Sequence, residues 1–103
     1  MQRIHIDKMD KIQDVLLKAK LQFEAEEFQL AISNYQVVIN SDPNHIEANF
    51  MIGEIYHQLG DMAKALSFYI KVSDIDPNHK KANVKIEMIN TILDYFNRDM
   101  HNP

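Results

Sequence analysis

The chain has 103 residues, enough for one domain and not for two. Apolar residues make up 46% and charged residues 25%, and the net charge of −4 lacks the basic footprint of a nucleic-acid binder. There is no cysteine, which excludes a disulfide framework and thiolate metal sites and fits a reducing compartment.

The N-terminal stretch Met1-Gln2-Arg3-Ile4-His5-Ile6-Asp7 runs into charges at Asp7, Lys8, Asp10 and Lys11. It reads as neither a signal peptide nor a membrane span, so the protein is expected in the cytoplasm. A first helix is predicted over about Asp7 to Ala25. Asp7 or Asp10 would cap it, and Ile12, Val15, Leu16, Ala19 and Phe23 would form its apolar face. Glu24-Ala25-Glu26-Glu27 is the turn, although it holds no Gly or Pro. A second helix follows over about Phe28 to Asn40, with Phe28, Ala31, Ile32, Tyr35, Val38 and Ile39 as its stripe. Pro43 ends it, because proline cannot continue an α ladder and restricts the residue before it.

Asn44 is then the expected cap of a third helix, about His45 to Leu59, with Glu47 as its capping-box partner. Gly53 lies inside that helix at a cost of about 1 kcal/mol against Ala, which close approach of a neighbouring helix would offset. Gly60-Asp61 is a stop and restart: Gly takes the left-handed C′ conformation and Asp caps. The fourth helix runs over about Met62 to Ser73 and ends at Asp76-Pro77. The fifth runs over about His79 to Asp99, with Lys80 and Lys81 in a first turn whose dipole disfavours cations. Met100-His101-Asn102-Pro103 is read as a frayed tail. The result is all-α: five helices, arranged as two hairpins and a closing helix.

The hairpins are copies. Asp42-Pro43-Asn44-His45 recurs as Asp76-Pro77-Asn78-His79 at an offset of 34, and Ile12/Ile46, Ala31/Ala65, Ser33/Ser67, Tyr35/Tyr69 and Val38/Val72 keep that offset. A fixed period of this size is the mark of a stacked repeat array. The units are 12–45, 46–79 and a capping helix over 80–99.

These residues resemble the tetratricopeptide repeat family. In the second unit Gly53, Tyr56, Gly60-Asp61, Ala65, Tyr69 and Asp76-Pro77 fit its pattern. In the first, Phe28, Ala31, Tyr35 and Pro43 fit, while Ala19, Gln22 and Glu26 depart from it. The chain is also similar to small stand-alone bacterial proteins of the family. The resemblance implies an α-solenoid whose first helices line a concave groove for a peptide, a partner helix or another domain. Carried over by register, the groove positions are Gln13, Leu16, Leu17, Lys20 and Glu24. Repeat two adds Glu47, Phe50, Met51, Glu54, His57 and Gln58, and the closing helix adds Lys81, Lys85, Met88 and Ile92. One subclass clamps a partner's C-terminal carboxylate at such places. Lys81 and Lys85 match it, whereas Leu16, Lys20 and Met51 do not carry its Lys, Asn and Asn.

The resemblance thus implies a protein or peptide partner, with Phe50 and Met51 as apolar anchors. Glu47, Glu54 and His57 would select a basic or amide-rich segment. Phe50, Met51, Met88 and Ile92 read equally as an adaptable Met-rich surface or as core. In the closing helix Ile86, Ile89, Leu93 and Phe96 form a stripe for the fourth helix. Met88, Ile92 and Tyr95 form a second stripe, wider than a polar-faced cap needs. That second stripe points to a homodimer through this helix, or to a helix curled into its own groove. His45, His57 and His79 lack metal-ligand spacing, no cofactor loop is present, and Ser33, Ser41, Ser67 and Ser73 have no nucleophile motif, so no metal, cofactor or catalysis is expected.

Overall fold

A computed structural model describes residues 8–101. It contains α1 (Lys8–Glu24), α2 (Phe28–Ser41), α3 (Ile46–Gln58), α4 (Met62–Ile75) and α5 (Lys80–His101). Each helix packs on the next in chain order, giving two antiparallel hairpins and a closing helix. The described residues contain no strand, and the fold is the short α-solenoid that the repeat implies. The stretch Met1 to Asp7, the Asp7 cap and Asn102-Pro103 lie outside the described residues. Met100 and His101, read as tail, belong to α5.

The repeated Asp-Pro-Asn-His stretch works as a stop and a restart. The Asp42 carboxylate accepts from Asn44 N at 3.2 Å, an Asx turn, and Asp76 does the same for Asn78 at 3.1 Å. The cap of α3 is then His45, not Asn44: its Nδ1 accepts from Ala48 N at 3.1 Å. His79 caps α5 in the same way, through Ala82 N at 3.1 Å. Asn44 contributes its backbone N–H to the turn, and the side chain that caps the helix is that of the next residue. Asn49 then ties α3 back to the loop, donating to the carbonyls of Pro43 at 3.1 Å and His45 at 2.8 Å. Asp61 caps α4 through Lys64 N at 3.1 Å, as its position predicted.

Gly60 takes φ +83°, the left-handed C′ conformation. Glu26, its counterpart one repeat earlier, takes φ +60° with a side chain attached. The first turn therefore forms in the same shape without glycine, at the cost of a Cβ in the left-handed region. Gly53 is where α4 comes close: a Cβ there would stand 2.9 Å from Tyr69 Cε1 and 3.4 Å from Phe68 Cβ.

The core follows the repeat. Ala31, Tyr35 and Val38 in α2, and Ala65, Tyr69 and Val72 in α4, are fully buried at equivalent positions. Ala48, Ile52 and Ile55 of α3 are buried in the first cluster, and Ile89 of α5 closes the second. Leu16 is only 7% exposed and belongs to the first cluster, which corrects its placement in the groove.

Both ends of the stack are finished by charged or polar side chains. In α1 the positions equivalent to Ala48 and Ile52 hold Asp14 and Lys18, both exposed. In α5 the positions equivalent to Gly53 and Tyr56 hold Glu87 and Asn90, where a further second helix would otherwise pack. The outer face of α5 is thus polar, as a terminal repeat requires, and its extra apolar residues lie elsewhere. Phe96 does not reach α4: it and Tyr95 are each 58% exposed. α5 has 22 residues against 14 in α4, so its last turns outrun the helix they were expected to cover.

Candidate partner-binding groove

α3 and α5 present their groove positions side by side. Phe50, Glu54, Lys81 and Lys85 come together, with Lys80 and Val84, around an open depression of about 320 Å³. Phe50 forms its apolar wall, with its ring 5.6 Å from the Tyr69 ring and 5.2 Å from the His79 ring. Val84, 63% exposed, supplies apolar surface from α5. Glu54, His57, Gln58 and Lys85 line an adjoining hollow of about 290 Å³.

Glu54 holds the two helices of repeat two and α5 in register. Tyr69 Oη donates to Glu54 Oε2 at 2.6 Å, and Lys85 Nζ lies 3.6 Å from the same oxygen. Lys85 Nζ also stands 3.5 Å from His57 Nδ1. Burial first, then the hydrogen bond to Glu54 and its charge, push the Tyr69 phenol well above the ordinary tyrosine range. Glu54 is thus committed within the chain, and its carboxylate is not free to select a ligand. Lys85 is committed with it. Lys80 and Lys81 are exposed, and no ion pair engages them among the described residues.

The remaining groove positions are spread along the array. Leu17, not Leu16, carries the exposed apolar position of α1, at 59% exposure. Lys20 and Glu47 are exposed, Met51 is half-buried against the first core cluster, and Met88 is exposed on α5. Ile92 is half-buried and Tyr95 lies beyond the depression, against Phe96 with ring centroids 6.0 Å apart.

Tyr35 is the residue that sequence reasoning placed only in the core. It is fully buried, yet its hydroxyl has no hydrogen-bond partner. Burial first, then the charges of Glu47 and Glu24, push its phenol up to about 12. The available signal was the repeat itself. Tyr69 has Glu54 across from it, and the equivalent of Glu54 in repeat one is Lys20, which cannot accept a hydrogen bond.

Residues 46–79 match the family model of the tetratricopeptide repeat. That segment is a tetratricopeptide repeat. No curated protein matches it. The tetratricopeptide match spans the second hairpin from Ile46 to His79, the unit that carries Phe50, Glu54 and the Tyr69 hydrogen bond. Repeats of this family serve in general as protein-interaction modules rather than as catalysts. No described helix is long and apolar enough to cross a membrane. Among the described residues no three His, Asp or Glu side chains converge as a metal-ligand set, and His45 and His79 are occupied as helix caps.

Proposed function

We propose that the chain is a non-catalytic interaction module that holds a peptide or helix of a partner protein along the face formed by α1, α3 and α5. The observation that carries this reading is the depression walled by Phe50 and Val84 and rimmed by Lys80 and Lys81. It offers apolar surface for an anchoring side chain and charge for its neighbours. Met51 and Leu17 extend the apolar track toward repeat one. Glu54, held by Tyr69 and Lys85, stiffens the wall; selection falls to Glu47 and the two free lysines. The test is co-purification from the native cell with a variant carrying Met51→Ser, Val84→Ser and Lys81→Glu. These side chains are exposed or half-buried, so far-UV circular dichroism should be unchanged while a stoichiometric partner is lost. A partner that stays bound to the folded variant would refute the groove.

A second reading has its own observation. Tyr95 and Phe96 leave an apolar tip on the projecting end of α5, continuous in register with Ile92 and Met88. That tip supports a homodimer through α5. Light scattering should then show a dimer that Ile92→Glu dissociates; a monomer at high micromolar concentration would sink this reading.

A further inference from the structure

The closing helix departs from the repeat where it meets the groove. Ile12 and Ile46 share one register position in the two repeats, and both are half-buried. The third unit holds Lys80 there, and Lys81 stands where the repeats hold Gln13 and Glu47. Both lysines are exposed in the first turn of α5, where the helix dipole disfavours cations, and no ion pair offsets this among the described residues. Val84 departs in a second way. It takes the register position of Leu16 and Phe50, of which the first is buried and the second half-buried, yet it is 63% exposed. Phe50, Val84, Lys80 and Lys81 line the same depression of about 320 Å³. Its other two charges, Glu54 and Lys85, lie 3.6 Å apart and neutralise each other, with Tyr69 Oη holding Glu54 at 2.6 Å. The unbalanced charge of the depression is therefore that of two lysines, in a chain whose net charge is −4.

We propose that this depression takes an apolar side chain flanked by carboxylates, Asp or Glu, from an internal segment of the partner protein. The subsite rests on the groove reading above and names the chemistry of the ligand. The apolar side chain lies between Phe50 and Val84, and its acidic neighbours meet Lys80 and Lys81. A basic segment is repelled by the same two lysines, so the preference expected from Glu47, Glu54 and His57 is reversed at this end of the groove. The subsite also differs from a clamp on a C-terminal carboxylate. A clamp needs several donors converging on one carboxylate, but Lys85 faces Glu54, whose charge repels a second carboxylate at that spot. The partner's anionic residues are thus directed to the Lys80 and Lys81 side, where a free C-terminus adds nothing.

The probe is a peptide blocked at both ends, with one leucine between two glutamates on either side, titrated into the full chain and followed by amide chemical shifts. The controls replace the glutamates with lysines or with glutamines, and a further glutamine peptide keeps a free C-terminal carboxylate. The acidic peptide should shift amides around Phe50 and from Lys80 to Lys85. It should bind about fivefold more tightly than the blocked glutamine peptide at low salt, the worth of two exposed ion pairs, and lose that advantage at high salt. Lys80→Gln with Lys81→Gln should abolish the preference while far-UV circular dichroism stays unchanged. Val84→Ser should weaken the acidic and glutamine peptides alike and leave the preference intact, a split that a general surface effect would not give. Lysine or blocked glutamine peptides that bind as tightly as the acidic one would overturn the subsite. So would shifts away from the depression, a preference that survives the lysine variant, or a free-carboxylate glutamine peptide that matches the acidic one. If the acidic peptide fails while the Met51, Val84 and Lys81 variant still loses the partner, the subsite falls and the groove stands. If the acidic peptide binds as described and that variant keeps the partner, the groove assignment falls instead.

Discussion

Gly53→Ala sets two known effects against each other at one position. In an exposed helix interior the substitution would stabilise by about 1 kcal/mol, because alanine is the better helix former. Here the new Cβ would lie 2.9 Å from Tyr69 Cε1 and 3.0 Å from Cδ1. Tyr69 is fully buried and pinned at its far end by Glu54, so its ring has nowhere to slide. Overpacking of this kind costs about 1–3 kcal/mol. Taking about 2 kcal/mol for the clash and about 1 kcal/mol for the propensity gain, the net loss is about 1 kcal/mol. For a chain of this size that lowers Tm by about 4–8 °C. Thermal unfolding by circular dichroism reads it directly. A double-mutant cycle assigns the cause: in a Tyr69→Leu background the ring is gone, and Ala at position 53 should turn from harmful to neutral or helpful. Stabilisation by Gly53→Ala in the otherwise unchanged protein would refute the close approach of α3 and α4.

Tyr69→Phe leaves Glu54 without its short hydrogen bond and should cost about 1.5–3 kcal/mol in urea unfolding, while Tyr35→Phe should cost nothing. Glu26→Gly should stabilise by about 1 kcal/mol, since residue 26 already occupies the left-handed region; Gly60→Ala should destabilise by a similar amount. His45→Ala removes the α3 cap at a cost of about 1 kcal/mol, and His45→Ser should restore much of it. At alkaline pH the sign is fixed by the raised phenols. A group whose folded pKa exceeds its unfolded value contributes stability below the unfolded pKa and loses it as pH climbs through the folded one. Stability from Tyr35 should therefore hold up to pH about 10 and fall away toward pH 12. Tyr69 should resist ionisation further still, and ultraviolet titration against unfolding at each pH checks both.

The fold was legible because the chain punctuates itself. Pro43, Gly60-Asp61 and Pro77 mark helix ends by covalent geometry, and the offset of 34 makes each mark confirm another. The first turn was harder to read, since Glu26 adopts a glycine conformation that its side chain does not advertise. The cap at His45 was missed because Asn44 is the better cap by residue type, whereas α3 begins at Ile46 and so puts His45 in the capping position. Leu16 and Leu17 illustrate a finer limit. Neighbours on a helix differ by about 100° in direction, so one faces the core and the next the groove. The pairing of Glu54 with Lys85 and Tyr69 depends on how three helices stack, which no local pattern contains. Phe96 fitted the stripe of its helix, but the stripe continues past the end of the neighbour it was meant to meet.

Site-specific photo-cross-linking in the native cell tests the central claim most directly. A benzophenone side chain would be placed at Val84 or Leu17, in the groove, and at Leu30, exposed on α2. Capture of the same partner from positions 84 and 17, and none from position 30, is the result this account predicts. A partner captured from position 30 and from neither groove position would contradict it.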